Sequence, residues 1–169
     1  MVAVIVVVGV TAWGASAGAV SSGSSVRVHA MVEARRLLAF AALPSGSVRL
    51  ARAPGAAQPI GGPELVPGTA ERVDVHEWWR SRAAPTDVLA FITGRRTGGA
   101  ACGPGSMRTA GQSVRWVQCS FPQGRGFTLR WLWFEARAFH GYTLVRVDAV
   151  VARGFLPTVP TGASGSTSY

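Results

Sequence analysis

The chain of 169 residues has no lysine, no asparagine and only three isoleucines. The missing lysine excludes whole classes of chemistry. No Schiff base forms on a side chain without that amine, and a Walker A loop cannot hold phosphate without its lysine. Pyridoxal-phosphate enzymes and kinases are therefore excluded, and no cofactor is expected. Codons for the three scarce residues are AT-rich, which points to a high-GC genome. All 17 basic residues are arginine, set against eight acidic ones, for a formal net charge of +9. They are spread from Arg27 to Arg153 with no run longer than two. A nucleic-acid binder normally gathers its basic residues on one face, so nucleic acid is not the expected partner. An anionic envelope polymer or lipid headgroup suits a dispersed positive charge better.

Charge is also missing from residues 1–20, where Val2–Val10 is almost unbroken aliphatic sequence. An apolar core of roughly 7–15 residues before a small-x-small site is the pattern of a secretory signal peptide. Ala15-Ser16-Ala17 and Ala17-Gly18-Ala19 both supply such a site. A spanning anchor needs about 20 mostly apolar residues, a length that Met1–Val20 only just reaches. The expected place of the following domain is outside the cytoplasmic membrane, secreted or anchored, although behind an uncleaved anchor Arg27, Arg35 and Arg36 would pull that side toward the cytoplasm by the positive-inside rule. Gly14-Ala15-Ser16-Ala17-Gly18 matches the nucleophile-elbow pattern, but that motif needs a strand before it and a helix after it within a large sheet. Inside a leader it carries no chemistry.

Cysteine is scarce too, limited to Cys102 and Cys119. In an oxidising compartment an even count points to a disulfide. Neither has a Cys-x-x-Cys partner or a nearby histidine, so no metal site is expected.

Periodicity gives the coarse architecture. Val28, Met31, Val32, Leu38 and Ala39 fall at helical spacing through Val26–Ala42, with Arg27, Glu33 and Arg36 off the stripe; Leu43-Pro44 ends the helix. Residues 44–70 are rich in proline and glycine and read as a loop, with only Ser47–Ala51 strand-like. Val73 and Val75 alternate with Asp74 and His76 in a strand that runs into Trp78-Trp79. Pro85 opens a second helix that Gly94 closes. Thr97–Gly111 reads as a glycine-rich loop. Three strands follow, Ser113–Phe121, Phe127–Ala136 and Tyr142–Ala152, with turns at Gln123–Gly126 and Ala138–Gly141. The expected fold is α+β: a single domain over residues 26–157, with a C-terminal three-strand antiparallel meander, one or two upstream strands and two short helices on one face. The middle strand is apolar on both faces and is expected to be covered on both. Residues 158–169 form a polar tail of disordered composition.

Few side chains carry a chemical signal. Asp74 and His76 share a strand face while Glu77 points away; a histidine flanked by carboxylates suits a general base or a metal ligand. His140 lies in a turn, and a small hydrolase would need Asp74, His76 and His140 in one cleft. A solvated strand end with a hydrogen-bonded histidine is the plainer reading. Trp116, Trp131 and Trp133 lie on strands and are expected in the core. Trp78 and Trp79 point opposite ways, and with Arg80 they are the expected contacts for a binding partner. Arg146 and Asp148 share a face and are expected to pair near a sheet edge.

Three phrases carry a resemblance: VEARRLLAFAALPSGS from Val32, VDVHEWWRSRAAPTDVLAFI from Val73 and YTLVRVDAVV from Tyr142. In this order the chain resembles a group of exported or membrane-anchored actinobacterial proteins of no established function, over roughly Val32 to Val159. The resemblance implies an envelope location and no catalytic residues. The expectation is a non-enzymatic binding domain. A small exported hydrolase and a weak electrostatic nucleic-acid binder are the alternatives.

Overall fold

A strand in the interior of a sheet, flanked by neighbours on both edges, buries most of its side chains, and Tyr142–Arg153 does so from Thr143 to Ala152 apart from Arg146. In the computed structural model this segment is β6, the last of eight elements: α1 (Ser21–Leu38), β1 (Val48–Leu50), β2 (Glu71–Ser81), α2 (Pro85–Gly94), β3 (Ala101–Thr109), β4 (Gln112–Ser120), β5 (Leu129–Phe139) and β6 (Tyr142–Arg153). The structure describes residues 21–55, 71–95, 98–109 and 112–153. The leader, most of the proline- and glycine-rich loop and the polar tail lie outside those residues.

The fold is α+β, with one six-stranded antiparallel sheet in the order β1-β2-β6-β5-β4-β3. The β4-β5-β6 meander and both upstream strands are as expected. A two-residue hairpin turn of type I′ needs positive φ at both central positions. Arg125-Gly126 (55° and 79°) meets this before β5, and His140-Gly141 (41° and 82°) meets it between β5 and β6. The second turn is tighter than Ala138–Gly141, because β5 runs on to Phe139.

Four expectations are corrected. First, the Thr97–Gly111 loop is largely strand. Gly103, Pro104 and Gly105 fit there because β3 is an edge, where proline leaves no ladder bond unmade. Cys102 sits directly opposite Cys119 on β4, and the two form a disulfide.

Second, α1 starts at Ser21, ahead of the expected Val26, and buries a different stripe. Ala30, Ala34, Leu37 and Leu38 face the sheet, while Val28 and Val32 are about 60% exposed (59% and 61%). Small alanines let the helix axis approach the sheet closely, which the bulkier valines would prevent.

Third, the middle strand β5 is not covered on both faces: both helices pack, as expected, on one side of the sheet, in one core cluster with Val117, Leu132, Phe134, Val145, Val147 and Ala149. Among the described residues no helix or strand lies over the other side. Only a small cluster of Leu129, Trp131, Val150 and Ala152 forms there. Fourth, Trp116, Trp131 and Trp133 lie on that open side and not in the helix-side core.

Glu33 locks α1 down. Its side chain is 6% exposed and accepts bonds from Arg130 Nε and Nη2 at 3.0 and 2.5 Å; Arg36 and Arg125 stand 3.7 and 3.8 Å away. No helix in the described residues is long and apolar enough to cross a membrane.

Candidate functional site

The open face follows from strand parity. Even-numbered residues of β2 and β6 and odd-numbered residues of β5 point away from the helices, and the register sets them in rows. One row runs His76, Asp148, Trp133 and Gln118. The next runs Trp78, Arg146, Glu135 and Trp116. On the far side of His76, Asp74 lies opposite Val150, whose partner on β5 is Trp131.

Aromatic rings and charges share these rows. Trp116 stacks on Trp133 with centroids 4.6 Å apart. The Arg146 guanidinium lies 5.6 Å from the Trp78 ring centroid, and His76 meets Trp78 edge-on at 6.1 Å. Gly105, opposite Trp116, is required by this stack: a Cβ there would lie 2.3 Å from the indole. Gly105→Ala is therefore expected to expel Trp116 and cost about 1–3 kcal/mol as an overpacking change. Loss of near-ultraviolet circular dichroism and a lower urea midpoint check this.

Asp148 is the most perturbed group on the face. The Arg146–Asp148 pair forms as expected but not at an edge: β6 is third of six strands and Asp148 is fully buried. Arg146 donates from Nε and Nη2 to Oδ1 at 2.9 and 2.6 Å. Oδ2 is buried with no partner. Burial pushes the Asp148 carboxyl up to about 7; Arg146 opposes this, while the charges of Asp74 and Glu135 add to it. Glu135 is also raised, chiefly by burial, against the bond and charge of Arg137.

The structure gathers the expected site residues only in part. Asp74 and His76 do share the open face, and Glu77 points away to Arg49 at 2.8 Å. Their neighbour is Asp148, which sequence reasoning had not joined to them. One donor atom from each of Asp74, His76 and Asp148 lies within 4.8 Å of the others. His140 is not part of this group. It sits in the turn before Tyr142, whose distance along β6 from Asp148, the partner of His76, is about 20 Å at the usual strand rise. A hydrolase cleft built on Asp74, His76 and His140 is not assembled.

Trp79 also departs from the expected contact set. It packs against the helix-side core with Nε1 buried and unpartnered. Trp78 and Arg80 keep the open orientation. Arg80 and Arg82 line a hollow of about 550 Å³ with Gly46, Ser81 and Tyr142. No acidic residue lines this hollow, and neither arginine forms an ion pair among the described residues.

No protein family, curated protein or solved structure matches the chain.

Proposed function

We propose that this chain is a non-catalytic binding domain that its apolar leader delivers to, or holds at, the outer side of the cytoplasmic membrane. This is the setting of the exported actinobacterial proteins it resembles. Its ligand is an anionic polymer of the envelope. The observation that carries the reading is the hollow at the end of β2, where Arg80 and Arg82 have no carboxylate partner among the described residues. Unpaired guanidinium groups present a planar fork of donors that matches carboxylate or phosphate oxygens. Trp78 lies next along the same strand face, and its ring offers a stacking surface for the apolar face of a sugar. The net charge of +9 adds long-range attraction to a polyanion. The intramolecular disulfide is compatible with an extracellular location.

The test is sedimentation of the purified protein with isolated cell walls of a high-GC Gram-positive bacterium. Arg80→Ala/Arg82→Ala is expected to weaken binding at least tenfold, about 1.4 kcal/mol. Trp78→Ala should weaken it less, and binding should fall with added salt as exposed charges are screened. Unchanged sedimentation of the double-arginine variant would rule out this hollow as the contact. Trp79→Ala is no test of binding, since it removes a core side chain and is expected to destabilise the fold.

A further inference from the structure

We propose that Asp74, His76 and Asp148 form a binding site for a divalent transition-metal ion of the zinc class on the open face of the sheet. The site stands apart from the arginine hollow and does not depend on the polymer-binding reading.

Adjacent antiparallel strands bring the three residues together. His76 is directly opposite Asp148 in the β2–β6 register, and Asp74 is one step along the same face. Their donor atoms lie within 4.8 Å of one another. A tetrahedral ion with bonds of about 2.1 Å wants its ligands roughly 3.4 Å apart, so the group must close by about 1 Å or a little more. Asp74 and His76 are exposed and free to rotate by that amount, while Asp148 is fixed in the sheet.

The second observation concerns Asp148 alone. Its Oδ1 takes both N–H groups of Arg146, but its Oδ2 is buried and has no partner. An unsatisfied buried carboxylate oxygen costs on the order of 1–3 kcal/mol or more. A cation held between this carboxylate and the two exposed donors removes that cost. The competing charges are limited. Arg146 is already committed to Oδ1, and Arg72 approaches Asp74 only at 3.4 Å. Glu135, on the neighbouring strand, adds negative potential.

The donor set selects the ion class. One imidazole and two carboxylates suit zinc, manganese, iron or nickel better than magnesium or calcium, which take oxygen ligands almost exclusively. Three protein ligands leave a fourth position, and the exposure of Asp74 and His76 opens it to solvent or to an anionic ligand atom.

The experiment titrates the chelator-treated full chain with zinc chloride at slightly alkaline pH, where the carboxylates are ionised, and follows heat and tryptophan fluorescence. Trp78 beside His76 makes the second signal local. The expected result is one zinc per chain with a Kd below about 100 μM, or roughly −5.5 kcal/mol or better. His76→Ala and Asp74→Ala change exposed side chains, so both variants fold. Each is expected to weaken binding at least tenfold. Weaker binding by the wild-type chain, or a smaller loss in either variant, overturns the site, because zinc would then be absent or held elsewhere.

Discussion

Glu33→Ala lowers the unfolding free energy by roughly 3–5 kcal/mol, the range for removing one partner of a buried ion pair. The expectation follows from what the substitution leaves behind. Arg130 is 11% exposed and directs Nε and Nη2 at Glu33, with the Pro122 carbonyl, 2.6 Å from Nη1, as its one further acceptor among the described residues. Without the carboxylate, a guanidinium remains under α1 with most of its donors unsatisfied. Arg36 and Arg125 add positive charge around the same point. Glu33→Gln keeps the shape and one acceptor oxygen but not the charge, so its loss should be smaller yet clearly measurable. A domain of this size is ordinarily stable by only 5–15 kcal/mol, so Glu33→Ala brings it close to its limit. Urea unfolding followed by tryptophan fluorescence reads the difference. A loss below about 1 kcal/mol would place the Glu33 cluster with ordinary surface ion pairs.

The same residue shows how far local sequence reaches. Glu33 looks like part of a polar helix face when the apolar stripe is drawn through Val28, Val32 and Ala39. That stripe fails because a helix laid on a sheet selects for close approach as much as for hydrophobicity. Ala30 and Ala34 provide it, and a half-buried arginine on β5, Arg130, then draws Glu33 inward. The arginine is 97 residues away in sequence, so no window around α1 contains the reason.

The strands divide in a similar way. Alternation marks β4, β5 and β6 plainly, and Pro85 and Gly94 bound α2. β3 stays hidden because Gly103-Pro104-Gly105 has poor strand propensity. Pairing with β4 overrides that preference, as context often does in sheets. Parity along β2 correctly separates Asp74 and His76 from Glu77, and Trp78 from Trp79. It does not say which set faces the helices. That depends on which strand pairs with β2, and the answer, β6, comes some 70 residues later. The join of Asp148 to Asp74 and His76 follows from that long-range pairing alone.

Removal of the disulfide is the other large effect expected. Cys102→Ser/Cys119→Ser opens a loop with a sequence separation of 17 residues. In the chain-entropy account a loop of this size contributes about 3 kcal/mol. The loss should be concentrated in β3. Among the described residues that strand is an edge paired with β4 alone, and its proline and glycines contribute little to strand stability. Cys119 is fully buried in the helix-side core, so serine there also places a hydroxyl among apolar neighbours. Two measurements separate the contributions. Urea unfolding of the wild-type chain with and without reductant isolates the cross-link, because the sulfur atoms stay in place. Amide exchange then locates the opening, with β3 amides losing protection before those of β5 and β6. If reduction leaves the midpoint unchanged, β3 is held by its ladder and by α2, and the disulfide is not what secures the edge. If reduction frays β3, the cross-link is what secures this edge of the sheet, a dependence compatible with an extracellular location.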